Sequence, residues 1–395
     1  SSGYIPSFTD AFFETVSGFT TTGSTILKSI ETLPKSLLFW RSFTHWIGGM
    51  GILVFVIAIM PKTESSSMHV MRAEVPGPTV GKLVSKLRAS ARILYGIYCV
   101  LTAVQIIMLL AGGMPLFDSI VNSFATAGTG GFGVLNNSIE GYNSVYSEMV
   151  IAVFMLLFGI NFNLYYMFLV KQGKQAIKSE ELRWYLGIIA GSTLLIAISL
   201  FTSTSNNLSD SFRLAFFQVS SIITTTGFST ANFNTWPMIT RFVLVFLMFI
   251  GACAGSTGGG IKVSRLVILV KSGLRDIKKA INPRSIETVK IDKRTVEEPI
   301  VKSVSVFFAT YMLLSAVSML VISLDGFDLQ STSTAVIACM SNIGPGLGAV
   351  GPYGNFADFS MLSKLVLSFD MLAGRLELIP MLMLFSPFAW SKKYS

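Results

Sequence analysis

The sequence predicts an all-α polytopic membrane protein built from four pseudo-repeats. Its 395 residues are 51% apolar and only 13% charged, against roughly 25% charged in an ordinary soluble domain. Long apolar runs alternate with shorter ones, and a glycine-bearing loop follows each of four short runs. Because a lipid-facing helix must be apolar on all sides, this composition is typical of a membrane protein.

The apolar runs fall into two length classes. Those long enough to cross about 30 Å of hydrocarbon cover residues 37–60, 93–110, 149–170, 184–202, 239–270, 304–324 and 362–388. Shorter ones cannot cross and are predicted to form re-entrant pore helices, at residues 8–19, 116–127, 212–223 and 329–340. Each pseudo-repeat is therefore an outer helix, a pore helix, a loop and an inner helix, and the four are expected to surround one central pore.

This order divides the chain into four repeats, at residues 1–61, 62–171, 172–279 and 280–395. The sequence begins with Ser1, almost directly at the first pore helix. We therefore expect the outer helix of the first repeat, and the N-terminus with it, to be missing from this sequence.

The four loops predict an ion-binding ring. Segments 8–23 and 212–227 align without a gap and share nine of sixteen residues. Backbone carbonyls can replace the water around a cation, and glycine reaches the backbone angles that aim them at little steric cost. A preceding helix directs its negative C-terminal end at the ion. The predicted K+ selectivity filter comprises Thr21, Thr22, Gly23, Thr129, Gly130, Gly131, Thr225, Thr226, Gly227, Asn342, Ile343 and Gly344.

A single Thr-Thr-Gly loop would be read as a polar turn or helix cap, but four copies at matched spacing favour the filter. The loops also differ from one another, since the second has Thr-Gly-Gly and the fourth has Asn-Ile-Gly. Only one glycine aligns in all four. A Na+ or mixed monovalent-cation pathway on the same fold therefore stays open as the alternative to a K+ pathway.

The basic residues predict the orientation in the membrane. The formal net charge is +9, and 22 of the 30 Lys and Arg lie at residues 62–92, 171–183, 262–294 and 392–393. These linkers alternate with the glycine loops, which is the positive-inside pattern of a multispanning protein. The linkers are expected in the cytoplasm and the loops at the outer face. Nucleic-acid binding is not expected, because the orientation of the chain in the membrane already explains where the basic residues lie.

The third inner helix contains five glycines within residues 251–260. Glycine costs about 1 kcal/mol relative to alanine in a helix, so this stretch should unwind, which is tolerated at membrane depth only beside water or inside protein. Close helix packing through small residues is the alternative. A phosphate-binding loop is excluded because Lys262 does not follow the required glycine. The predicted gate comprises Gly251, Ala252, Cys253, Ala254, Gly255, Ser256, Thr257, Gly258, Gly259, Gly260, Lys262 and Arg375.

The fourth inner helix carries Asp370, Arg375 and Glu377 within an apolar run. Charges inside a span are costly and usually face a bundle interior or a water-filled cavity. One reading is an ion pair within the membrane, and the other is that Arg375 meets the carbonyls of the glycine-rich segment. In the first pore helix, Glu14 is expected to anchor the filter and not to bind K+.

Together these motifs resemble the TrkH/KtrB family of potassium-transporting membrane subunits. The resemblance rests on TTTGS, GTGGF, TTTGF and SNIGPGLG, on CAGSTGGGIKVSR and GRLE, and on FWRSFTHWIGGMGI and MRAEVPGP, and it covers essentially the whole chain. It implies a K+ uptake channel or transporter in the bacterial inner membrane, with K+ as the transported ion and no organic cofactor. It also implies a homodimer seated on a cytosolic ring of nucleotide-binding regulatory subunits similar to TrkA or KtrA, with the basic linkers as docking surface.

A membrane-embedded enzyme, or a sensor without transport, is the alternative of a different class. It would need clustered histidines or paired carboxylates in a span, whereas the two histidines are His45 and His69, far apart in the chain. The cysteines, Cys99, Cys253 and Cys339, lie in apolar runs without metal-site spacing. We therefore expect a transport protein and not an enzyme.

Overall fold

The computed structural model describes residues 3–51, 87–203, 207–376 and 378–384. The first basic linker up to residue 86, with MRAEVPGP, lies outside the described residues, as do Glu377 and Lys392-Lys393. The described part of the chain is mostly helical, with one short antiparallel hairpin. Its helices are α1 Phe8–Phe19, α2 Lys35–Gly49, α3 Leu87–Ala111, α4 Leu116–Gly128, α5 Val145–Phe158, α6 Phe162–Leu169, α7 Gly173–Ile177, α8 Glu180–Ser203, α9 Leu208–Ile223, α10 Met238–Ile250, α11 Val263–Ile281, α12 Glu298–Ile322, α13 Leu329–Met340, α14 Met361–Arg375 and α15 Leu378–Leu384.

The hairpin pairs β1 Lys290–Ile291 with β2 Arg294–Thr295. In the described part of the chain, four short 3₁₀ helices occupy Ser138–Tyr142, Phe233–Thr235, Ser323–Asp325 and Gly348–Val350.

The predicted outer helices are long and apolar. Within the described residues, three segments are long and hydrophobic enough to cross a membrane, namely Ala91–Ala111, Glu180–Ser203 and Glu298–Asp325. The pair α5 and α6 would add a fourth crossing if it is one span. The protein is thus a multi-pass membrane protein, as the sequence predicts.

The second and third of the predicted inner helices are interrupted. Residues 149–170 were expected to form one span, but α5 and α6 meet at an angle of 87°. The bend follows Phe158, and the side chain of Asn161 caps the new helix by accepting the N–H of Asn163 at 2.9 Å. Between α10 and α11 the chain leaves the helix at Gly251 and re-enters it at Val263. The predicted unwinding of 251–260 is therefore present.

The four short helices begin and end close to the predicted positions. Helices α1 and α13 match the predicted bounds, α4 is one residue longer at its C-terminus, and α9 starts four residues earlier, at Leu208. In each of these four helices, at least half of the residues are buried.

The packing of these helices follows one rule around the molecule. Each short helix contacts the helix that follows the preceding glycine loop. The short helix α4 packs on α2, α9 packs on α5, and α13 packs on α10. The last such helix, α14, packs against the first short helix, α1. The order of contacts therefore closes on itself, which places the ends of the four short helices near one another.

Candidate functional site

The four glycine loops have the same backbone course. Two positions in each have positive φ, the glycine itself and the residue two before it. The glycines have φ of 81°, 75°, 84° and 95°, at Gly23, Gly131, Gly227 and Gly344. The earlier position is Thr21, Thr129, Thr225 or Asn342, with φ between 54° and 58°. Since a threonine rarely adopts this region, the surrounding contacts must stabilise it.

One hydrogen bond accounts for this course. The amide between the two positive-φ residues donates back to a carbonyl five residues earlier in the short helix, at 2.9 Å in all four loops. The donors are Thr22, Gly130, Thr226 and Ile343, and the acceptors are Ser17, Ala125, Ser221 and Ala338. Folding the amide back towards the helix satisfies its N–H and leaves the loop carbonyls available for contacts outside the helix.

The loops contact one another in cyclic order. A Cβ atom added to Gly23 would collide with the carbonyl oxygen of Gly130, and one added to Gly131 with that of Thr226. One added to Gly227 would meet the oxygen of Ile343. A Cβ at Gly344 would meet the oxygen of Thr22, which returns to the first loop. All twelve residues predicted from the sequence are thus brought into one closed ring of loops, and each glycine is required where the next loop approaches.

Side chains join the loops and make them unequal. In the first and third loops, hydroxyl pairs lie 2.8 Å apart, Thr20 with Thr22 and Thr224 with Thr226. In the second loop, glycine occupies both equivalent positions. The amide of Asn342 in the fourth loop donates to the hydroxyl of Thr22 at 2.9 Å. Thr20 and Thr224 belong to the triple threonines of the two aligned segments but stand outside the twelve residues predicted for the filter.

The glycine-rich segment 251–260 lies directly against these loops. The hydroxyl of Thr129 donates to the carbonyl of Thr257 at 2.9 Å, and the N–H of Gly259 donates to the hydroxyl of Thr225 at 2.6 Å. A Cβ at Gly259 would collide with the carbonyl oxygen of Ser341. The segment therefore touches the second, third and fourth loops, and larger residues would not fit there.

The bend between α5 and α6 supports the same segment. The N–H of Cys253 donates to the carbonyl of Gly159 at 3.1 Å, and the N–H of Phe162 donates to the carbonyl of Gly255 at 2.9 Å. The carbonyl of Phe158 accepts from the hydroxyl of Thr257 at 3.2 Å. Backbone groups freed by the break in one inner helix thus bind the segment freed in the next.

Two cations fasten segment 251–260. Lys262 is 1% exposed, and its ammonium donates to the carbonyl of Gly258. The guanidinium of Arg375 donates to the carbonyl of Thr257 at 2.8 Å and to that of Gly49, at the end of α2, at 2.9 Å. The sequence left open whether Arg375 forms an ion pair within the membrane or meets the carbonyls of segment 251–260. The contact with a carbonyl of the segment is present. Asp370 accepts from the hydroxyl of Ser318 at 2.9 Å.

Ion pairs connect two of the short helices, α1 and α9, to neighbouring helices. The carboxylate of Glu14 in α1 pairs with Arg41 in α2 at 2.7 Å and accepts the N–H of Ile26 at 3.1 Å. Lys364 in α14 pairs with Asp10 at 2.7 Å, and Arg213 in α9 pairs with Glu148 in α5. Glu14 thus lies in an internal ion pair beside the first loop, as a residue that anchors the loop would.

Replacing Glu14 by glutamine is expected to lower the stability of the protein by about 3 kcal/mol, because Arg41 would remain buried without a charged partner. The thermal midpoint in detergent, followed by intrinsic fluorescence, would report the loss. Lys28→Gln is the matched control, since the side chains of its ion pair with Asp358 are 71% and 74% exposed and exposed pairs stabilise little. Equal midpoints for the two variants would contradict an anchoring role for Glu14.

Comparison with known proteins gives one consistent result. Residues 2–394 match the model of the family TrkH, described as cation transport protein. The Trk system potassium uptake protein TrkH of Salmonella typhimurium is 39% identical over 388 residues, which cover 97% of this chain and 79% of that protein. TrkG of Escherichia coli is 34% identical over 385 residues, covering 97% of this chain and 79% of TrkG.

The solved structures agree. The crystal structure of the potassium transporter TrkH from Vibrio parahaemolyticus superimposes with a TM-score of 0.86 at 36% identity, covering 98% of this chain and 80% of that one. The predicted resemblance is therefore confirmed, and so is the expectation of a transport protein in place of an enzyme. This chain belongs to the TrkH family of cation transport proteins.

Proposed function

We propose that this protein is a K+ uptake channel or transporter subunit in which K+ passes through the ring of four glycine loops. The observation that carries the proposal is the cyclic contact of each loop glycine with a carbonyl oxygen of the next loop. Four pseudo-repeats around one central pore, with boundaries as predicted from the sequence, would produce this order. The relatives named potassium uptake proteins support K+ as the transported ion.

In this proposal the filter residues bind K+ through backbone carbonyls, and segment 251–260 is the gate. The C-terminal ends of α1, α4, α9 and α13 would favour a cation near the ring through their helix dipoles. Segment 251–260 has the position a gate requires, because it contacts three of the four loops and is held by hydrogen bonds that a conformational change can break.

The proposed setting is the bacterial inner membrane, with the glycine loops facing outwards and the basic linkers in the cytoplasm. The subunit would act as a homodimer under the control of a cytosolic, nucleotide-binding ring, docked on those linkers. The name Trk system, carried by the relatives, fits a transporter with further subunits.

Reconstituted liposomes would test the transported ion. Vesicles containing the protein are expected to take up K+ and Rb+ faster than Na+ and Li+, because the carbonyl ring is expected to fit the larger ions. The comparison uses radiotracer uptake, with and without the cytosolic partner, and protein-free vesicles as the control. Equal uptake of all four ions would favour the mixed-cation alternative suggested by the unequal loops, and no uptake in either condition would contradict transport through this ring.

A further inference from the structure

Segment 251–260 has a further attachment, which leads towards the side of the protein proposed to face the cytosol. Glu181, in the first turn of α8, accepts the N–H of Ala254 at 2.7 Å. Asn161 and Ser264 lie beside the same carboxylate. The carboxylate thus joins the segment, the bend before α6 and the start of α11. A carboxylate held among protein groups is costly unless several donors surround it.

The adjacent residue, Glu180, is bound to the hairpin of β1 and β2. The N–H of Glu180 donates to the carboxylate of Asp292 at 2.6 Å, and the N–H of Asp292 donates back to Glu180 at 3.3 Å. Lys271, in the helix that follows the glycine-rich segment, forms an ion pair with Glu180 and donates to the carbonyl of Lys290 at 2.7 Å. The hairpin is thereby attached to both α8 and α11.

The hairpin turn holds a definite shape. Asp292 and Lys293 both have positive φ, 49° and 65°, which is the two-residue turn that matches the twist of a tight hairpin. Ile291 packs against the buried apolar cluster that includes Tyr185 and Val267. The hairpin is thus tied to the rest of the protein by Ile291 and by the hydrogen bonds of Asp292, so a displacement of its turn would act on Glu180.

We infer that Glu181 is a positioning residue for the gate and that the Glu180–Glu181 pair couples the hairpin to segment 251–260. The inference rests on the proposed function and names the route by which the cytosolic face would control that gate. Moving the hairpin pulls on the first turn of α8 and with it on the carboxylate that holds Ala254. Loss of the Ala254 contact would then release the segment while the filter stays intact.

The test measures K+ and Na+ uptake by full-length protein in liposomes without the cytosolic partner. Glu181→Ala and Glu181→Met are both expected to raise basal K+ uptake roughly ten-fold, because neither offers an acceptor to Ala254. The Met variant fills the space, so volume is separated from hydrogen bonding. Glu181→Gln keeps an acceptor oxygen and is expected to lie closer to the wild type. The K+/Na+ ratio should stay unchanged in all of them.

The hairpin provides an independent arm. Asp292→Ala is expected to raise basal K+ uptake. Asp292→Asn is expected to keep uptake near the wild-type level, because the amide oxygen can still accept and Asn tolerates positive φ. Lys293→Ala is the control in the same turn. In a double variant with Glu181→Ala, loss of Asp292 should add little, because both changes act on one route. This arm remains informative if a Glu181 variant does not fold.

Two outcomes separate the inference from the proposed function. If a variant lacking residues 255–258 gains K+ uptake while folded Glu181→Ala and Glu181→Met match the wild type, the coupling is overturned and the gate stands. The coupling is also overturned if Asp292→Ala and Lys293→Ala are alike. If neither the wild type nor the shortened variant passes K+, the proposed function itself fails.

Discussion

Replacing Gly227 by serine is expected to lower the K+/Na+ uptake ratio by about ten-fold. Gly227 has φ of 84°, and a Cβ there would collide with the carbonyl oxygen of Ile343 and lie 2.8 Å from Cδ of Pro345. A non-glycine residue at such an angle costs of the order of 1–3 kcal/mol. Relief of the collision must displace the carbonyl at the junction of two loops, and with it the spacing of the proposed ion-binding oxygens.

The measurement is tracer uptake of K+ and Na+ by liposomes, with the protein's elution profile as a check on folding. Gly191→Ser is the matched control, because a Cβ at Gly191 in α8 meets nothing within 4 Å. An unchanged ratio in folded Gly227→Ser protein would exclude this glycine from the proposed filter.

The second large effect is expected at Arg375. Arg375→Ala removes the donors to the carbonyls of Thr257, Gly48 and Gly49. Hydrogen bonds from a charged donor contribute about 1.5–3 kcal/mol each. If segment 251–260 is the proposed gate, loss of the contact to Thr257 alone would shift it towards the open state by roughly ten-fold or more. Basal K+ uptake in the absence of the cytosolic partner should rise accordingly, and deletion of residues 255–258 should act in the same direction.

Lys302→Ala is the control for Arg375, since it removes a basic side chain that is exposed on α12. Comparison of the two variants in the same vesicles corrects for changes in reconstitution. If folded Arg375→Ala and the deletion both conduct like the wild type, segment 251–260 acts through helix packing and not as a gate.

The bend between α5 and α6 shows what hydropathy cannot predict. Residues 149–170 are apolar almost throughout, so their composition is the same for one straight span and for two helices at 87°. The bend is stabilised by partners far away in the chain, because Gly159 and Phe162 bind residues 253 and 255. The hydrogen bond of Glu181 could not be predicted from the sequence for the same reason, since the N–H that it accepts lies 73 residues later in the chain.

The sequence by itself determined the class of protein, the four short helices and the glycine at the end of each loop. These follow from local physics: apolar length decides what crosses a membrane, and only glycine tolerates the backbone angle and the close approach. Tertiary structure decided the cyclic order of the loops, the position of segment 251–260 against three of them, and the partner of Arg375. Those depend on contacts between residues far apart in the chain, such as Thr129 with Thr257 and Arg375 with Thr257, which are 128 and 118 positions apart. A pattern of neighbouring residues does not encode them.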